Sequence, residues 1–405
     1  MKEWRNLQLG DIAVISYGYT AKASVENFGS KFLRITDIQK DRVNWSRVPY
    51  CPISEDDLKK YRLIDQDIVF ARTGATTGKS YLVCNPPESV AASYLIRLRV
   101  QDPTILAKFI SKYFQTSEYW DSVSSGISGS AQGGFNASKL SALVINIPPL
   151  PEQKRIVAIL DEAFEAIDRA IANTEKNLAN ARELFESYLN NVFTQKGDGW
   201  VEKKLEDICS ITSKLIDPRQ AEFLDLPHVG AGNMISLTGE LIEVKTAREE
   251  KLKSGKFIFD ENMILYSKIR PYLMKACRPE FSGLCSADVY PLLPNDGQLN
   301  RDFLFHLLMS RNFTKYAIAG SDRAGMPKVN RDHLFRYSTW IPSLSQQVNI
   351  AQKIDEIATE TQRLEAIYRQ KLAALKELKQ SILQKAFTGE LTADTPKTAE
   401  EEIAA

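Results

Sequence analysis

The chain has 405 residues, of which 43% are hydrophobic and 25% charged, the balance of a folded globular protein long enough for two cores rather than one. A net charge of +1 excludes a polycation that coats nucleic acid through overall charge, so any phosphate-binding surface is expected as a local patch. Five cysteines and three histidines, without C-x-x-C or metal-ligand spacing, give no disulfide or zinc framework, and no apolar run approaches the roughly 20 residues of a membrane span.

The N-terminal Met1-Lys2-Glu3-Trp4-Arg5 lacks the apolar core of a signal peptide, so a cytoplasmic protein with free thiols is expected. Residues 1–150 hold 18 basic and 14 acidic side chains. Strands are predicted at 31–35, 67–71 and 94–98, where β-branched and aromatic residues cluster, and a short helix at 103–115. This is a mixed α/β domain without βαβ alternation.

The pattern changes at Ile147-Pro148-Pro149-Leu150-Pro151-Glu152-Gln153. Apolar or small residues then fall at Ile156, Leu160, Ala163, Ile167, Ala170, Thr174, Leu178, Ala181, Leu184 and Tyr188. Steps of three and four indicate a long helix with a coiled-coil seam. Pro149 and Pro151 mark its start and Gly197-Asp198-Gly199 its stop.

After residue 196 the chain repeats itself. Trp4-x4-Leu9-x-Asp11-Ile12 returns as Trp200-x4-Leu205-x-Asp207-Ile208, an offset of 196 residues. Asp65 to Phe70 returns as Asp260 to Leu265, and the Pro-rich block returns as Ile341-Pro342-Ser343-Leu344-Ser345-Gln346-Gln347. Ser187-x5-Phe193-Thr194 returns as Ser381-x5-Phe387-Thr388. Four blocks in one order describe two copies of a module, because a solenoid period is far shorter. The second copy predicts a helix at 301–309 and a second seam at Ile350, Ile354, Ile357, Thr361, Leu364, Tyr368, Leu372, Leu375, Leu378 and Ile382.

The expected organisation is α+β: two similar α/β globular domains, 1–150 and 197–342, with helical spacers at 151–196 and 343–391 and a disordered tail at 392–405. The two helices are expected to pair as an antiparallel coiled coil, giving internal pseudo-two-fold symmetry. About 40 helical residues extend about 60 Å, against about 34–36 Å for a turn of duplex DNA.

The strand and loop Asp67-Ile68-Val69-Phe70-Ala71-Arg72-Thr73-Gly74, the Pro-Pro-Leu-Pro-Glu-Gln block opening a long helix, the second copy, and the ending Phe387-Thr388-Gly389-Glu390-Leu391 together resemble the type I restriction–modification DNA-specificity subunit family. The second copy departs from that pattern at Ser345 and Gln346. The resemblance implies two target-recognition domains reading double-stranded DNA as a bipartite, asymmetric site, with the helices as a ruler. It implies a chain without catalysis or cofactor of its own, docked to two modification subunits that use S-adenosylmethionine and to restriction (translocase) subunits that use ATP and Mg2+, away from any membrane. The alternatives are a standalone DNA methyltransferase or endonuclease, and a helical scaffold unrelated to DNA.

Three motifs invite an enzymatic reading and fall short. Thr73 to Ser80 contains Gly78-Lys79-Ser80, but Gly74 stands one residue too close for a phosphate-binding loop. Asn85-Pro86-Pro87-Glu88 has no aromatic residue to stack on an adenine, and Glu249-Glu250-Lys251 lacks the preceding aspartate of a metal nuclease. The candidate DNA contacts are Arg72, Thr73 and Lys79 with their counterparts Lys268 and Arg270. Gln132 in a Gly/Ser loop, with Arg323 and Lys328 in its repeat, is suited to base edges or phosphate. Arg34, His228 and Asn233 at equivalent strand ends complete the set.

Overall fold

The computed structural model describes residues 4–39, 41–128, 134–321 and 327–393. The chain forms two compact units: Met1–Thr174 with Gln370–Ala405, and Glu175–Arg369. The sheet-to-helix transitions fall near the expected residues 150 and 342, but compactness divides both long helices midway. Of the expected tail, Thr392 is buried in a 3-10 turn, Glu390–Thr392, and residues 394–405 lie outside the described set.

In the first unit a four-stranded sheet runs in the order Ala13–Tyr17, Leu95–Val100, Ile68–Ala71, Ser80–Leu82. A second sheet sets Ser30–Leu33 parallel to Ser89–Ala91. Arg5–Gln8 pairs antiparallel with Val144–Ile147, so the first strand lies beside the one that leads into the helix Leu150–Thr194. Ile68 to Ala71 are all buried, consistent with a continuous apolar run and not an alternating one.

The second unit repeats this plan. Cys209–Ser210, Val289–Pro294, Ile264–Ser267 and Ala276–Cys277 form its four-stranded sheet. Pro227–Val229 runs parallel to Gly283–Ser286, and Val201–Lys204 pairs with Ser338–Ile341 ahead of the helix Leu344–Thr388.

One side chain per unit fixes the helix to its domain. Gln153, fully buried, accepts from Leu106 N (2.8 Å) and donates to Thr104 O (3.0 Å) and Pro148 O (2.8 Å). Gln347, also fully buried, accepts from Asn300 N (2.7 Å) and donates to Gln298 O (2.9 Å) and Pro342 O (2.9 Å). Every partner is displaced by 194 residues. A glutamine supplies the acceptor and two donors this junction requires, and a proline within the first turn costs no hydrogen bond.

The far ends of the helices dock elsewhere. In the first unit Leu383 and Ala386 enter the core of residues 9–167, and the Phe387 ring lies 4.9 Å from Phe109. In the second, Leu189 and Phe193 enter the core of residues 205–354, with Phe193 5.1 Å from Phe303. Within each unit the two helix segments therefore run antiparallel. Asp168 meets Lys379 at 3.2 Å in the first, and Arg182 grips Glu365 with two 2.8 Å bonds in the second.

Of the residues expected in the seam, Ile156, Leu160, Ile167 and Ile354 are buried in the domain cores, and Leu178, Ile350, Leu375 and Ile382 are half-buried. Three expected members are corrected: Leu184 is 71% exposed, Leu364 39% and Leu378 47%. Their places are taken by Phe185, Glu365 and Lys379, one residue on, which keep a strict four–three alternation from 361 through 365, 368, 372, 375 and 379 to 382. Choosing the apolar residue at each step misplaced the stripe, because a long charged side chain can lay its stem along the seam and pair its head across it.

Candidate nucleic-acid interface

In the first unit several strand ends converge around Arg72. Its amide donates to Tyr94 O (3.2 Å), and its carbonyl accepts from Phe135 N (3.0 Å), which clips residues 134–135 alongside Arg72 and Thr73. The guanidinium lies 4.8 Å over the Tyr17 ring, and its buried Nε has no hydrogen-bond partner among the described residues. Thr73 is exposed, and a 3-10 turn, Gly74–Thr76, leads back into Ser80–Leu82. A strand, not a helix, follows Gly78-Lys79-Ser80, so this hairpin lacks the helix N-terminus that a phosphate-binding loop uses. Lys79 Nζ donates to Ile38 O (3.2 Å), bringing it beside the Arg34–Asp37 turn.

Arg34 is already engaged. It forks onto Asp37 (Nε to Oδ2 3.0 Å, Nη2 to Oδ1 2.8 Å), and this hydrogen bonding raises its pKa further. On its other side is a groove of about 360 Å³ whose lining includes Lys31, Arg34, Arg47 and Tyr50. Lys31 Nζ sits 3.8 Å from the Tyr50 ring centre and donates to Val48 O (2.7 Å). Arg47, exposed, was not singled out from the sequence. Its turn, in which Asn44 Oδ1 accepts from Ser46 N (3.2 Å) and Arg47 N donates to Asn44 O (3.0 Å), was the available signal.

The second unit builds the same backbone with different side chains. Lys268 N donates to Asp288 O (3.0 Å), and Lys268 O accepts from Val329 N (2.8 Å), the counterpart of the Arg72 clip. Lys268 Nζ donates to Ala287 O and lies 5.0 Å from the Tyr290 ring centre. Burial, then neighbouring Lys328, pushes the Lys268 ammonium below its ordinary range. Lys328 reaches Asp288 at 3.4 Å, and Arg270, exposed in left-handed backbone (φ 50°), bonds through its amide to Pro327 O (2.8 Å). Gln132 and Arg323 lie outside the described residues.

His228 and Asn233 have structural partners. His228 is buried with Nδ1 2.8 Å from Glu250, and burial lowers its pKa against the pull of that carboxylate. Asn233 accepts from Gly230 N (2.8 Å) and donates to Ile242 O and Glu243 O (both 3.1 Å), so its side chain closes the loop. Gly230 therefore stands where Arg34 stands in the first unit, and His228 lies two residues earlier, on the equivalent strand. Glu249 caps the turn at Thr246 N (2.8 Å), which with the Glu250–His228 contact gives both glutamates of that charge run structural roles.

Residues 1–179 and 197–374 match the family described as the type I restriction modification DNA specificity domain. The chain belongs to this family and carries two copies of its domain. It is 34% identical over 199 residues to the Escherichia coli type I restriction enzyme EcoDI specificity subunit, covering 48% of this chain and 43% of that one. It is 22% identical over 391 residues to the Salmonella potsdam StySPI specificity subunit, covering 89% and 82%. The chain thus spans under half the length of the EcoDI protein in that match. Its fold is similar to that of the HsdS subunit of Thermoanaerobacter tengcongensis (TM-score 0.61, 18% identity, 96% and 98% covered). A chain from a type I R-M system studied for complex assembly and conformational transition is similar too (TM-score 0.75, 18% identity, 96% and 99% covered). No helix among the described residues is long and apolar enough to cross a membrane.

Proposed function

We propose that the chain is the DNA-specificity subunit of a type I restriction–modification complex, reading two unlike half-sites of double-stranded DNA and leaving chemistry to other subunits. The supporting observation is that the two domains carry one backbone clip with different chemistry at it. Arg72, Tyr17 and Tyr94 occupy it in the first, and Lys268, Asp288 and Lys328 in the second. Equivalent backbones with dissimilar side chains suit a reader whose half-sites differ.

In this reading Arg72, Thr73, Lys79 and Arg47 meet one half-site, and Lys268, Arg270 and Lys328 the other. Two modification subunits, holding S-adenosylmethionine, flip and methylate an adenine in each half while this chain holds the register. Restriction subunits supply the ATP- and Mg2+-dependent functions, and the assembly works in the cytoplasm.

The test is DNA affinity against salt for the chain bound to its modification subunit. Arg270→Ala combined with Lys328→Ala is expected to weaken binding about tenfold and to flatten the salt dependence by up to about two phosphate contacts. Unchanged affinity and slope would remove this surface from the reading. A second expectation concerns the helices: inserting about four residues, one turn, into both should lengthen the accepted spacer while both half-site sequences stay as they were. Sequencing of methylated sites checks this, and an altered half-site counts against the ruler.

A further inference from the structure

A second anchor ties each domain to the helix that follows it. In the first unit, Lys112 on the helix Ala107–Tyr113 reaches Asp161 Oδ1 at 2.9 Å, and Lys108 reaches Oδ2 at 2.5 Å. In the second unit, 194 residues on at both ends, His306 on the helix Arg301–Leu308 bonds through Nε2 to Asp355 Oδ1 at 2.9 Å. Arg278 adds bonds to Asp355 at 2.9 and 2.8 Å and one to Asp302 at 3.1 Å. Asp302 occupies the position of Lys108 with the opposite charge. The donors have been exchanged between copies, yet the acceptor is an aspartate in both.

Burial works against ionised Asp161 and Asp355, but the hydrogen bonds from their partners outweigh it and hold both carboxyls below their ordinary range. Burial also lowers the pKa of His306, against the pull of the Asp355 carboxylate.

Each aspartate lies eight residues beyond its buried glutamine, about 12 Å along the helix. The apolar contacts between domain and helix are non-directional, and Gln153 or Gln347 supplies a directional hold at one point only. The aspartate adds a second, and two such points define an angle. The angle matters at the reading face. Roughly 10° of slack on a lever of about 25 Å moves that face by about 4 Å, more than the 3.4 Å rise of one base pair.

We propose that Asp161 and Asp355 are positioning residues that hold each domain at a set angle on its helix and thereby confine the DNA spacer length the protein accepts. This rests on the DNA-reading function above. The experiment uses the chain assembled with its modification subunit, and duplexes bearing the native spacer or one a base pair shorter or longer. For Asp355→Asn and Asp161→Asn, methylation of the off-length duplexes relative to the native one should rise about fivefold, with unchanged preference at both half-sites. His306→Lys, which installs the first unit's chemistry while keeping Asp355, should retain the narrow profile.

An unchanged spacer profile in variants that still methylate the native site overturns the proposal alone. Absence of site-specific methylation by the unsubstituted complex overturns both the proposal and the functional reading. Should Asp355→Asn fail to assemble, Asp161→Asn decides: no broadening there overturns the proposal.

Discussion

Phe193→Ala is expected to destabilise the unit Glu175–Arg369 by about 3–5 kcal/mol, the usual cost of deleting a buried aromatic ring. The Phe193 side chain is 6% exposed, and its ring sits edge-on to Phe303 in a core that also holds Leu189, Leu304 and Ile354. The void would have little to collapse into, since its walls belong to two helices and a domain already anchored by Gln347. Phe193 follows the first domain in sequence but docks beside the second. Hydrogen exchange should therefore show lost protection in residues 205–341 and little change in residues 9–147. A loss below about 1 kcal/mol, or lost protection confined to the first domain, would mean the helix end does not dock where described. Phe387→Ala should act reciprocally, through Phe109.

Gln347→Ala should cost about 3 kcal/mol, because it leaves one amide and two carbonyls at the junction without a partner in a fully buried site. Gln347→Glu should be worse than alanine. It turns an oxygen toward Gln298 O and Pro342 O, where the amide had donated, and brings a charge into the interior. Urea unfolding of the three proteins checks the order, wild type above alanine above glutamate. A glutamate variant as stable as wild type would contradict the assigned orientation of the amide. The same series at Gln153 should behave alike.

The duplicated plan was legible because the repeated blocks are the residues that hold it together. Gln153 and Gln347 in the Pro-rich blocks and Phe193 in the first Ser-x5-Phe-Thr block are buried, and Phe387 in the second is half-buried against the core. Repetition identified them but not their partners. That a phenylalanine closing one helix packs on the domain before the other helix depends on contacts about 110 to 280 residues away, which no local pattern encodes. The strands at Ile68–Ala71 and Leu95–Val100 were legible from buried apolar runs.

Seam residues were legible where apolar side chains coincide with the heptad. They were misread at Leu184, Leu364 and Leu378, where a neighbouring phenylalanine, glutamate or lysine occupies the covered position. Charge and turn signals picked out Arg72, Lys79, Lys268 and Arg270 as candidate contacts, and the structure sets Arg72 and Lys268 at equivalent backbone clips. His228 and Asn233 look the same in sequence, and only their contacts with Glu250 and with the loop carbonyls show them to be structural. Polar residue type marks a strand end but does not say whether the side chain faces water or its own loop.

The most direct measurement is a genome-wide map of methylated adenines in cells carrying this chain with its modification subunit. A paired reader held by antiparallel helices predicts one bipartite motif, with two unlike half-sites at a constant separation and indifferent sequence between them. A single contiguous motif, or half-sites whose separation varies from locus to locus, would contradict it.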